Sequence, residues 1–169
     1  MIPEMTKTGH VGVLGTIGTV LSESYPLEIA KISTDSPITV VQEACPMWVP
    51  IVENNLINSR GAASFVEENL ASLFAKDPLI DTVILGCTHY PLLSEIIHRF
   101  LPPGVTLLNQ GPVVAEKLKD YLSRHPEIDA RCSKSGRRDY FTTESSKNFD
   151  LLGNLFIGNK VVSQHMKLG

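Results

Sequence analysis

Asp81-Thr-Val-Ile-Leu-Gly86 decides the fold, because this apolar, partly β-branched run ends in glycine and leads directly into Cys87-Thr-His-Tyr-Pro91. A helical pattern follows, so the sequence predicts a buried strand, a loop and a helix in succession. The same order occurs earlier, where Val11-Gly-Val-Leu14 leads into Gly15-Thr-Ile-Gly-Thr19 and a helix predicted to reach Lys31. Repeated units of this kind predict an α/β protein, an αβα sandwich with a mostly parallel sheet.

The remaining apolar runs continue this alternation. Further strands are predicted at 38–41, 105–108, 139–143 and near 161–162, and helices at 50–55, 62–74, 92–101, 113–122 and 146–157. Pro26 is expected to break or kink the first helix. Residues 8–109 are expected to form one αβα domain and residues 110–169 a second segment. The basic stretch at 131–138 is expected to be a hairpin or a crossover loop.

Composition excludes several classes of protein. The chain has 169 residues and a net charge of −3, which argues against a general nucleic-acid binder and a basic membrane-surface protein. Its apolar runs are too short for a membrane span, and the N-terminus lacks the apolar core of a signal peptide. Cys45, Cys87 and Cys132 are too few and too widely spaced for a disulfide framework or a zinc module. These features predict a cytoplasmic protein with no metal and no membrane partner.

Two loops are candidates for binding an anion, because ligands of open parallel sheets bind at the carboxyl ends of the strands. They are the loops at 15–19 and 86–91, where backbone N–H groups at a helix start and the hydroxyls of Thr16, Thr19 and Thr88 are available donors. A carboxylate or a phosphate fits both loops. The glycine spacing of the first loop does not match a dinucleotide fingerprint, and its glycines are also explained by a tight turn alone.

Cys87 and His89 are the candidates for chemistry. A cysteine at the end of a buried strand and the start of a helix is in a position that favours the thiolate, and a histidine two residues later can accept or deliver a proton. The alternative is that Cys87 is a small core residue. A metal site is not favoured, since this pair alone cannot complete four ligands.

Val83-Ile-Leu-Gly-Cys-Thr-His-Tyr-Pro-Leu-Leu93 resembles the second cysteine signature of the aspartate/glutamate racemase family, in particular of its glutamate-specific branch. Three further stretches resemble the family in the same order. They are Gly12-Val-Leu-Gly-Thr-Ile-Gly-Thr-Val20 with Ser24-Tyr25, Ala44-Cys-Pro-Met-Trp-Val-Pro-Ile-Val-Glu53, and Tyr140-Phe-Thr-Thr143 followed by Phe149 and Phe156-Ile-Gly158.

The resemblance implies racemisation of glutamate without a cofactor. Two cysteines would face opposite sides of the substrate α-carbon, one removing its proton and the other returning a proton. By this match Cys87 is the catalytic cysteine that serves L-glutamate and His89 assists it, while Cys45 is structural. The match also implies that Thr88 contacts the substrate and that Glu53 lies near the site. With Thr16 and Thr19 of the first loop, these are the candidate substrate-binding residues. The product, D-glutamate, would supply bacterial peptidoglycan.

The sequence also departs from the family pattern. It contains neither the Cys-Asn-Thr motif of the first catalytic cysteine nor the Asp-Ser-Gly loop, and Asn109-Gln110 stands where many relatives have Asp-Ser. We therefore expect the second domain of a two-domain racemase plus part of the split first domain, inactive by itself and self-associating through apolar surfaces. The alternatives are a related aspartate or hydantoin racemase, a decarboxylase, or a non-catalytic binding remnant.

Overall fold

Four parallel strands form the main sheet in a computed structural model that describes residues 2–33 and 36–168. The strands are β1 (His10–Gly15), β2 (Thr39–Ala44), β3 (Thr82–Leu85) and β4 (Thr106–Leu108), and their order in the sheet is β2-β1-β3-β4. The central strands β1 and β3 are almost completely buried, as their continuous apolar runs predict.

Helices cover both faces of this sheet. Val11 and Val13 pack with Ile29 of helix α3 (Ser24–Ile32) in one buried cluster, whereas Gly12, between them, faces helix α5 (Arg60–Lys76). A Cβ atom on Gly12 would lie 2.7 Å from Cδ2 of Leu73, so glycine at this position permits the close approach of α5. The helices of this part are α1 (Ile2–Met5), α2 (Ile17–Leu21), α3 (Ser24–Ile32), α4 (Trp48–Glu53), α5 (Arg60–Lys76), a 3₁₀ turn (Tyr90–Leu93) and α6 (Ser94–Phe100).

The chain divides into two compact units, residues 1–115 and 116–169. The elements from the boundary onward are α7 (Gln110–Arg124), α8 (Pro126–Asp129), β5 (Tyr140–Thr142), α9 (Ser146–Ile157) and β6 (Ser163–His165). In the smaller unit β5 and β6 pair in parallel, and Val161 is its one buried apolar residue among those described. Gly169, the predicted end of the second segment, lies outside the described residues.

The predicted fold class is confirmed, because the sheet is parallel and its strands alternate with helices. No helix within 2–33 or 36–168 is long and apolar enough to cross a membrane. Helix α9 has the bounds predicted for it.

Three local predictions differ from the structure. The first helix breaks before Pro26, where Glu23 adopts a left-handed conformation (φ 51°); proline then occupies the first turn of α3, where its missing N–H costs little. The segment at 131–138 is a loop that connects α8 to β5, so the hairpin alternative is wrong, because a helix and not a strand precedes the segment. The last strand begins at Ser163, because Val161 packs against Gly153 of α9 instead.

Candidate functional site

The carboxyl ends of the central strands place the candidate residues at one edge of the sheet. Leu14 of β1 and Leu85 of β3 are paired in register, and the N–H of Gly86 donates to the carbonyl of Leu14 at 2.8 Å. β2 lies on one side of β1 and β3 on the other, so the direction in which successive strands are added to the sheet reverses at β1. Open α/β sheets form their ligand crevice at such a point.

A cleft of about 500 Å³ lies at this edge. It includes Cys87 and Thr88 from the loop after β3, and Asn109 and Gln110 from the end of β4. The described residues that line it are uncharged: Tyr25, Leu85, Gly86, Cys87, Thr88, Pro91, Asn109, Gln110, Gly111 and Val114. An anionic ligand in this cleft would therefore be held by neutral hydrogen-bond donors.

Cys87, His89 and Glu53 form a continuous series of polar contacts beside the cleft. The Sγ atom of Cys87 lies 3.7 Å from Nδ1 of His89, and Nε2 of the same ring lies 3.1 Å from Oε1 of Glu53. The imidazole is half-buried and the carboxylate more exposed. A histidine held between a thiol and a carboxylate can orient and exchange the thiol proton. The series has the composition that acid–base chemistry at sulfur requires.

Tyr90 and Trp48 hold the two ends of this series together. Glu53 is the last residue of α4, and His89 directly precedes the 3₁₀ turn. Trp48 and Tyr90 contact each other edge to face with ring centroids 4.8 Å apart, and the buried Tyr90 hydroxyl donates to the carbonyl of Cys45 at 3.0 Å. These contacts fasten the 3₁₀ turn to α4, so His89 and Glu53 remain within reach of each other.

Cys45 is chemically different from Cys87. It is completely buried; burial, with the nearby charge of Glu43, raises the pKa of the Cys45 thiol well above its usual range. Cys87 is half-buried and lines the cleft. Of these two thiols, Cys87 is the one that a ligand can reach.

Glu43, whose charge acts on Cys45, belongs to a polar network that the sequence did not predict. Its carboxylate accepts hydrogen bonds from Asn69, Ser72 and Lys76 at 3.2, 2.9 and 2.6 Å. Asn69 Oδ1 accepts a further bond from the indole N–H of Trp48 at 2.9 Å. Both oxygens of this buried carboxylate thus accept hydrogen bonds from α5, and these bonds join α5 to β2.

The threonines of the two loops have different surroundings. Thr88 lines the cleft. Thr16 caps α2 by accepting from the N–H of Thr19, and the two hydroxyls lie 2.9 Å apart. Neither of them, nor Glu53, is among the residues lining the cleft. The structure thus brings Cys87, Thr88, His89 and Glu53 together and leaves Thr16 and Thr19 as a separate pair at the end of β1.

The helix predicted at 92–101 begins at Ser94, because the 3₁₀ turn Tyr90–Leu93 precedes it. Its start is thus two residues later than predicted. Tyr25, Asn109 and Gln110 were not predicted as site residues although they line the cleft. The end of β4 is a carboxyl strand end like that of β3, and this signal points to Asn109 and Gln110.

Known glutamate racemases are similar to this chain in sequence. The glutamate racemase of Lactiplantibacillus plantarum is 37% identical over 170 residues, which cover 96% of this chain and 60% of that protein. No protein-family model matches the sequence.

Solved structures of glutamate racemases share the fold. A Bacillus anthracis isoform is 32% identical with a TM-score of 0.83, covering 98% of this chain and 60% of that one. The enzyme of Francisella tularensis, in complex with D-glutamate, is 25% identical with a TM-score of 0.78, covering 95% and 57%. The resemblance predicted from the sequence is confirmed, and the chain spans about 60% of the length of the curated relatives it matches.

Proposed function

We propose that this chain carries one half of the active site of a glutamate racemase, with Cys87 as the thiol that exchanges the substrate α-proton. The contact of Cys87 Sγ with His89 Nδ1, at 3.7 Å beside an open cleft, is the observation that carries this proposal. We infer the reaction and the substrate from the glutamate racemases that are similar over nearly the whole of this chain.

The proposed step is general acid–base catalysis at carbon. The Cys87 thiolate removes the α-proton of L-glutamate, and the resulting S–H and carbanion can recombine or exchange with solvent. His89 orients the thiol and takes part in returning it to the thiolate form, while Glu53 Oε1, 3.1 Å from Nε2, keeps the ring in one orientation. The reaction transfers a proton only, so its balance needs no oxidant, reductant or cofactor.

Inversion requires a second acid on the opposite face of the α-carbon. In a two-cysteine mechanism this is another thiol, and Cys87 is the cysteine among the described residues lining the cleft. We infer that the 169-residue chain alone exchanges the α-proton without inverting it. The second thiol would come from a further polypeptide segment that faces this cleft. With that second thiol in place, the site would produce D-glutamate for peptidoglycan synthesis in the cytoplasm.

Protection of Cys87 from alkylation tests this proposal. L-Glutamate should slow the reaction of Cys87 with iodoacetamide and leave that of the exposed Cys132 unchanged, which makes Cys132 an internal control. L-Leucine, which lacks the side-chain carboxylate, should protect less. Equal alkylation of Cys87 with and without L-glutamate would contradict the proposal.

A further inference from the structure

Gln110 links the side chain of Tyr25 to strand β3. Its Nε2 atom lies 2.7 Å from the hydroxyl oxygen of Tyr25 and 2.8 Å from the carbonyl oxygen of Leu85. A carbonyl oxygen only accepts hydrogen bonds, so the amide atom facing Leu85 is the nitrogen. The two protons of this nitrogen are then directed to Leu85 and to Tyr25, which fixes the orientation of the amide.

This arrangement determines the role of the Tyr25 hydroxyl. Because the hydroxyl oxygen accepts from Gln110, its own O–H proton remains to be donated elsewhere. Within 2–33 and 36–168 no acceptor for that proton lies within hydrogen-bonding distance. Tyr25 and Gln110 both line the cleft that contains Cys87 and Thr88. The cleft therefore has a phenolic donor beside the candidate thiol.

The ring of Tyr25 is held as well as its hydroxyl. It packs against the buried cluster that includes Val13 and Ile84. A Cβ atom on Gly86 would lie 3.2 Å from Cε2 of Tyr25 and 3.0 Å from the carbonyl oxygen of Leu14. Glycine before Cys87 thus lets the ring lie directly against the end of β3. The ring is fixed before any ligand binds, which reduces the entropic cost of using its hydroxyl.

We propose that Tyr25 donates a hydrogen bond to a carboxylate of the amino acid bound in this cleft, and that Gln110 is the positioning residue that sets the direction of this bond. The proposal rests on the proposed function and deepens it by naming a substrate-binding residue. The chemistry fits, because the described lining carries no cation and a fixed O–H group is a suitable neutral donor to an anion.

The test is the concentration of L-glutamate that half-protects Cys87 from iodoacetamide, measured in the full chain and in variants. Tyr25→Phe keeps the ring and removes the proton, and should raise this concentration about tenfold, the size of one hydrogen bond to a charged group. Gln110→Met should raise it about threefold through Tyr25. Gln110→Met should have no further effect when combined with Tyr25→Phe, because both act on the same bond.

Thermal unfolding of each variant shows whether the fold is retained, and Tyr140→Phe, in the smaller unit, is the matched control. Equal half-protection in the wild type and in folded Tyr25→Phe would overturn this inference and leave the proposed function standing. Additive effects of the two substitutions would overturn the positioning role of Gln110. Absence of any protection in the wild type would overturn the proposed function together with the inference.

Discussion

The Nε2 atom of His89 lies 3.1 Å from Oε1 of Glu53, although 36 positions separate the two residues in the chain. The other nitrogen of the ring faces the sulfur of Cys87. The carboxylate thus fixes the ring that contacts the thiol, an arrangement whose contribution can be measured at the thiol itself.

Glu53→Gln should lower the rate at which iodoacetamide alkylates Cys87 by about two- to fivefold, the size expected of a partly exposed ion pair. The amide still fills the space, but a neutral oxygen accepts a weaker hydrogen bond and holds the ring less firmly against the thiol. The rate is measured by mass spectrometry of the Cys87 peptide. Glu95→Gln is the control, because Glu95 is an exposed carboxylate of α6 that pairs with Arg99. An unchanged rate in Glu53→Gln would contradict the role assigned to Glu53.

The two thiols of the larger unit should differ in reactivity. In a Cys132→Ser background, Cys87 should be alkylated in the folded protein while Cys45 remains unmodified up to pH 9. Cys45 is completely buried and its thiol pKa is raised by burial and by Glu43. Urea should expose Cys45 to the reagent. Faster alkylation of Cys45 than of Cys87 in the folded state would show that the assignment of the catalytic thiol is wrong.

Asp81 should make the stability of the larger unit depend on acid pH. Burial acts to raise its pKa, but hydrogen bonds from Thr6, Thr8, Lys7 and Thr82 lower it to about 2. The folded-state pKa is thus below the unfolded value, so the stabilisation is complete above about pH 5 and is lost as pH falls towards 2.

Asp81→Asn should therefore lower the free energy of unfolding by about 1–3 kcal/mol at pH 7 and by much less at pH 2. Urea unfolding at both pH values measures the difference. Asp139→Asn is the control, because Asp139 lies in an exposed loop, where it pairs with Arg137. Equal losses at both pH values would show that the charge of Asp81 is not responsible.

The chain should self-associate through apolar side chains that it leaves in water. Leu118 of α7 is 55% exposed and Leu151 of α9 is 70% exposed. Burial of a large apolar side chain contributes about 1.5–3 kcal/mol before the cost of ordering. Sedimentation velocity should show a dimer or larger species, weakened by Leu151→Ser and unaffected by Leu79→Ser in the loop before β3. A single 18.5 kDa species at all concentrations would contradict this prediction.

The sequence predicts the fold closely where burial is periodic. In α5 the buried positions Ala62, Val66, Leu70 and Leu73 recur at helical spacing, and in β3 all four residues are buried. Such patterns are local. The short helix α8 has no buried residue and therefore no hydrophobic period, which is why the sequence did not predict it.

The site could be predicted only in part, for a similar reason. Cys87, Thr88 and His89 are neighbours in one loop. The predicted succession of a strand, a loop and a helix was therefore enough to identify them from the sequence. The bond between Gln110 and Tyr25 joins residues 85 positions apart, and it depends on how α3 and the end of β4 pack. No local pattern of charge or hydrophobicity encodes that contact.

Deuterium exchange at the α-carbon of L-glutamate tests the central claim most directly. In D₂O, proton NMR should show slow loss of the α-proton signal with the wild-type chain and none with Cys87→Ser, while polarimetry shows no D-glutamate. This result is expected if Cys87 removes the proton and returns a deuteron to the same face. Absence of exchange in the wild-type chain, or equal exchange in Cys87→Ser, would contradict the assignment of Cys87 as the acid–base thiol.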